Sequence, residues 1–126
     1  IVVLSDGADT FSGVSSAKAL KAAMDADASI YTIDMSAINS NGKEKMQNQA
    51  ALKNFAEKTG GRFVSTPRGA AMRQAFKGIV EELGVQYTIS YEPSNSKKDG
   101  KWRSIELLVS RPNLTIRTRK GYTANK

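Results

Sequence analysis

The sequence predicts an α/β fold: a parallel sheet with helices on its faces over residues 1–84, then a three-stranded antiparallel β extension over 85–126. Three observations predict it. Short apolar runs alternate with longer helix-forming stretches as β-α-β-α-β-α through residue 84, the pattern of parallel strands joined by right-handed crossovers. Glycines and polar residues punctuate each junction. Beyond Gly84 the hydrophobic period changes from about 3.6 to 2, the signature of half-buried strands.

Ile1-Val2-Val3-Leu4 is a continuous apolar run that stops at Ser5-Asp6-Gly7, as expected of a parallel strand buried on both faces. Residues 5–13 form a polar loop with two glycines. Ser15 to about Ala26 is rich in Ala, Lys, Leu and Met, all good helix formers, with Ala17, Leu20, Met24 and Ala28 as an apolar stripe. Residues 29–34 make the second strand, and 36–43 a loop carrying Asn39, Asn41 and Gly42. From about Glu44 to Lys58 a helix turns Leu52, Phe55 and Ala56 inward, and Gly60-Gly61 end it. Residues 62–65 are a third strand; Pro67 breaks the chain before a helix from Gly69 to about Leu83, with Met72, Phe76, Ile79, Val80 and Leu83 at helical spacing. In the extension, strands are expected at 87–91, 102–110 and 114–119, joined by turns at 93–100 and 111–113. Leu114 and Ile116 point inward, as do Tyr87 and Tyr91, whose sheet-core role outweighs that of a ligand platform.

Composition narrows the chemistry. The 126 residues include no Cys and no His, which excludes disulfides, thiolate nucleophiles and every Ser-His-Asp arrangement. A hydrolase would have to find its base among Asp, Glu and Lys, with no evident pairing. The expected class is therefore a binding module and not an enzyme. Oxygen ligands remain, and these suit Mg²⁺, Mn²⁺ or Ca²⁺. The net charge of +7 is unevenly spread: ten Lys/Arg face nine Asp/Glu in residues 1–84, and nine face three in 85–126. No apolar run approaches the ~20 residues a membrane span requires. The opening on Ile1, without initiator Met or basic leader, reads as an excised piece of a longer protein.

One constellation carries chemistry. Asp6 follows the first strand directly, on the carboxyl edge of the sheet, where open α/β sheets place ligands. Ser5, Asp6, Asp9, Thr10 and Ser12 all offer oxygen within eight positions, and Gly7 permits a sharp turn. A hard divalent cation suits such a loop, although the same residues also serve as caps and turns. Asp34 ends the second strand on the same edge, near enough to a cation to be considered, with a turn or cap role favoured.

These residues resemble a known family. The strand followed by Ser5-Asp6-Gly7 and a helix is similar to the fourth-strand segment of von Willebrand factor type A domains, and Ile30-Tyr31-Thr32-Ile33 to the fifth strand. Leu52 to Phe63, with its Thr59-Gly60-Gly61, resembles the approach to the sixth strand, and 69–83 the final helix. Gln86 to Pro93, Asp99 to Arg103 and Arg117 to Tyr122 resemble the tail of the VWFA-related proteins abundant in Acidobacteria. The resemblance implies that 1–84 is the C-terminal part of a Rossmann-like type A domain with a β extension packed on it. It implies a protein-interaction or adhesion module, extracytoplasmic or secreted, with a metal-ion-dependent adhesion site for Mg²⁺ or Mn²⁺ completed by a partner's carboxylate. Asp6 would be that site's Asp from this loop. The family's Asp-x-Ser-x-Ser motif and its separate Thr loop, which lie N-terminal to this segment, are absent. The chain alone is therefore expected to bind Mg²⁺ weakly or not at all.

The alternative function is a basic surface on the extension, formed by Arg103, Arg117, Arg119 and Lys120, gripping nucleic acid or an anionic polysaccharide. Edge-strand positive charge that blocks aggregation is the plainer reading of these residues, and inward tyrosines argue against RNA recognition. A third reading is a structural unit used for assembly. Trp102 beside the Lys-rich loop is either a stacking surface for a base or sugar or a strand-end anchor. An uncovered strand edge also predicts self-association, such as a homodimer.

Overall fold

The computed structural model describes residues 1–37, 42–65 and 69–124. It contains five strands and three helices among these residues: β1 (Val2–Ser5), α1 (Ser16–Asp25), β2 (Tyr31–Asp34), α2 (Gly42–Thr59), β3 (Phe63–Val64), α3 (Ala70–Leu83), β4 (Trp102–Ser104) and β5 (Gly121–Thr123). The expected alternation through residue 84 is present. β1, β2 and β3 form a parallel sheet in that order, with Ser5 opposite Asp34 and Ile33 opposite Val64. The loop residues Asn39 and Asn41 and the break at Pro67 lie outside the described residues.

The sheet buries its central strand, with β1 and β3 as its edge strands. All four residues of β2 are buried, because it has a strand on each side and helices against it. Tyr31, Ile33 and Ile79 form the core cluster, with Val64 and Met72 packed on it. β1 departs from its expected burial: Ile1, Val2 and Leu4 are exposed. An apolar run reports affinity for a covered position, and β1 has a neighbour on one side only. Ile1 and Ser5 direct their carbonyls to the backbone N–H groups of Tyr31 and Met35. By strand alternation the backbone groups of Val2 and Leu4 face the open edge.

Local sequence explains the helices. Ser15 caps α1, its Oγ accepting from the Lys18 N–H at 3.4 Å. α1 buries none of its residues, so the Ala17–Leu20–Met24 stripe is only partly covered. α2 turns Leu52 and Ala56 into the core and leaves Phe55 half-buried. It stops at Gly60, whose φ of +81° favours glycine. At Gly61 a Cβ would collide with the Ile30 carbonyl, so the strand after α2 can lie close to β2 only without a side chain there. α3 buries Ala75 and Ile79, while Phe76, Val80 and Leu83 are exposed. The buried face is rotated from the expected stripe because β2 and β3 cover one side of this helix.

The extension is a two-stranded antiparallel sheet, in place of the three-stranded meander. β4 and β5 pair with Arg103 opposite Tyr122, and bonds from Ile105 to Lys120 and between residues 100–101 and Ala124 prolong the contact. Residues 87–91 and 114–119 are not strands. Tyr87, Ile89, Tyr91, Leu114 and Ile116 are exposed, contrary to their expected inward orientation. Alternation equips a segment for a sheet, but a ladder also needs a partner at bonding distance. Partial desolvation, then the neighbouring Tyr122 hydroxyl, raises the Tyr91 pKa above the usual tyrosine value. The extension is tied to the first unit by Arg117–Glu82, Arg119–Asp27 and a Lys120 N–H to the Lys58 carbonyl.

Candidate functional site

Parallel strands place Asp6 and Asp34 at the same, carboxyl edge of the sheet, since Ser5 and Asp34 are register partners. Their environments are opposite. Asp6 is exposed; its Oδ1 accepts the Ala8 N–H at 3.0 Å, and Oδ2 accepts no hydrogen bond from the described residues. Ser5 is half-buried, its Oγ accepting from the Gly7 N–H at 3.0 Å. Gly7 has φ +79°, and a Cβ there would strike the Asn48 carbonyl of α2. That close approach pins the loop to the helix and holds Asp6 at the rim.

Asp34 is fully buried. Its Oδ1 accepts from the Ser36 N–H at 2.8 Å and from the Ser36 Oγ at 2.5 Å, while Oδ2 accepts from Gln49 Nε2 at 2.6 Å. Such a carboxylate is saturated by donors and closes the turn after β2. Ser36 and Gln49 were not read from the sequence as part of this edge. The Asp-x-Ser spacing could have signalled the turn, whereas Gln49 lies 15 residues away on α2 and becomes a neighbour only through the crossover.

The remaining loop residues are dispersed. Asp9 is exposed and caps a local turn, its Oδ1 accepting from the Ser12 N–H at 3.0 Å. Thr10 is exposed, and the Phe11 side chain stands fully in solvent. A shallow open depression is lined by residues 9–13. Among the described residues no cluster of three or more acidic, His or Cys side chains could hold a metal ion. At this edge the Asp6 carboxylate is exposed with Ser5 beside it, while Asp34 is committed to the fold.

The basic candidates are engaged in ion pairs. Arg103 pairs with Asp99 at 3.0 Å and Arg117 with Glu82 at 3.0 Å, and Arg119 contacts Asp27. The Lys101 N–H, then the Arg103 guanidinium, hold the Asp99 carboxyl below its usual range. Lys120 is exposed and has no ion pair among the described residues. Three of the four expected anion-binding side chains thus already have carboxylate partners, and an incoming phosphate or sulfate would have to displace them. No helix among the described residues is long and apolar enough to cross a membrane.

No family model, curated protein or solved structure matches this chain.

Proposed function

We propose that the chain is a protein-interaction module of the von Willebrand factor type A kind, non-enzymatic, contributing one side of a metal-ion-dependent adhesion site. The observation that carries this reading is the exposed Asp6 carboxylate immediately past the end of a parallel strand, on a loop that Gly7 pins against α2. Asp6 would supply one oxygen to Mg²⁺ or Mn²⁺, with Ser5 beside it. The other ligands would come from polypeptide pairing along the open edge of β1, and from a partner's carboxylate. Phe11, fully exposed five residues beyond Asp6, suits the apolar anchor that protein interfaces use. The bound cation would supply a Lewis-acidic contact for that carboxylate; this chain's part is to hold Asp6 at the rim and keep Asp34 out of competition for the metal.

Paramagnetic broadening by Mn²⁺ tests the reading, because it detects weak sites. Millimolar Mn²⁺ added to the isotopically labelled chain is expected to broaden amide signals of residues 5–10 first, and Asp6→Ala should abolish that focus. Broadening centred on another acidic group, or unchanged in the Asp6→Ala variant, would refute it. Mg²⁺ titration calorimetry should show no micromolar affinity for the isolated chain.

A further inference from the structure

A second concave place lies away from the loop rim. A cleft of about 350 Å³ lies between α1 and the β4–β5 pair, lined by Leu20 and Met24 from the helix and Trp102 and Tyr122 from the strands. That volume falls within the range of small-molecule sites, roughly 300–1,000 Å³. The cleft also takes in Asp27, on the turn that leads back into β2. In a parallel sheet that turn lies at the edge opposite Asp6, so this cleft is separate from the loop rim.

Its chemistry selects a ligand class. Trp102 packs over Gly121, where a Cβ would come within 2.5 Å of the indole, yet the residue remains 46% exposed. The half-covered stripe of α1 adds an apolar floor. The rim carries Lys21 paired with Asp25 and Arg119 paired with Asp27. These four groups offer donors and acceptors but no net charge, on a chain whose total is +7. A charged ligand would meet its own sign as often as the opposite one. A purely apolar ligand would strip water from these paired rim groups and offer their remaining donor and acceptor positions nothing in return.

A neutral pyranose meets both demands, since its C–H face can lie on an indole while its hydroxyl edges meet paired ionic side chains. Rings with all-equatorial substituents have the flattest C–H faces. We infer that the α1/β4–β5 cleft is a binding site for a neutral, β-linked gluco-configured oligosaccharide, with Trp102 as the stacking surface and Asp27 and Arg119 as hydroxyl-binding groups.

Trp102 is the chain's single tryptophan, so its fluorescence reports on the site directly. The full 126-residue chain would be titrated with cellotetraose and with chitotetraose, and binding checked by calorimetry. The expected result is a saturable emission change for at least one of them, with a midpoint on the order of a millimolar, as for a shallow small-ligand site. Leu20→Lys should weaken it at least tenfold, as should Asp27→Asn, which retains a residue tolerant of the positive φ there. Circular dichroism verifies that each variant is folded, and Asp25→Ala at an exposed helix position serves if either is not. The inference is overturned if neither sugar gives saturable binding, if binding survives the folded variants unchanged, or if the response comes only from a heparin tetrasaccharide or only from hexanol.

Discussion

Asp34→Ala separates a structural carboxylate from a metal ligand. The substitution removes the acceptor for the Ser36 N–H, the Ser36 hydroxyl and Gln49 Nε2. Ser36 is 4% exposed, so its two donors have little access to water. An unsatisfied buried donor costs about 1–3 kcal/mol. The hydroxyl can rotate toward another acceptor and half-buried Gln49 can reach solvent, so the Ser36 N–H carries the full range, the hydroxyl about 1 kcal/mol, and the total is about 2–4 kcal/mol. A typical domain has about 5–15 kcal/mol of stability in all, and the core here is built around a three-residue cluster. Asp34→Ala should therefore lower the urea midpoint sharply. Asp34→Asn keeps an acceptor for both Ser36 donors, and Gln49 can turn its carbonyl toward the new amide, so the cost should fall to about 1 kcal/mol. The assay is urea unfolding followed by far-ultraviolet circular dichroism, comparing midpoints at a shared slope. An Asp34→Ala midpoint within error of the parent, or an Asn variant as damaged as the Ala variant, would show that Asp34 does not hold the turn through these donors. A true metal ligand would show the reverse pattern, with stability retained and metal response lost.

Alkaline pH should destabilise the fold through Tyr31. Burial first, then the Glu82 carboxylate, raises its pKa above the usual tyrosine value of 10.0. The folded chain thus holds this proton more tightly than the unfolded one, so the contribution is fully present below about pH 10 and is lost as pH rises through the elevated folded value. Tyr31→Phe should flatten that alkaline decline in urea midpoint; parallel declines in parent and variant would contradict it. The open edge of β1 should also drive self-association of the isolated chain, visible as a concentration-dependent sedimentation coefficient. Val2→Pro removes an edge-facing N–H at the first strand residue, a position that tolerates proline, and should reduce the association; a parent that sediments as a monomer at all concentrations would defeat the expectation.

The parts of this fold that were legible in the sequence are those decided over short spans. Helix α2 ends where Gly60 can take a positive φ, and Gly60-Gly61 announces that stop whatever packs nearby. Strand β2, expected over residues 29–34, is present at Tyr31–Asp34. What the sequence misjudged depends on neighbours far along the chain. Ile1-Val2-Val3-Leu4 has the composition of a buried strand, but its burial needs a second flanking strand, which the described residues do not provide. The segment around Tyr87 and Ile89 alternates as a strand should, yet it remains exposed because pairing is a property of two segments.

The candidate site divides along the same line. Asp6 could be placed at the rim from the end of one apolar run, a local fact. The competence of that rim depends on donors brought by other segments. The crossover that carries Gln49 to Asp34 engages the second carboxylate of the edge, for which the sequence favoured a turn or cap role over a place near the cation. Two acids at equivalent strand ends thereby acquire different roles. The one whose oxygens accept from Ser36 and Gln49 fixes the turn, and the exposed one is the residue proposed to meet the cation. The Asp34 variants read the first role through stability and the Mn²⁺ titration reads the second through Asp6, so exchanging those two readouts between the two residues would reverse the assignment.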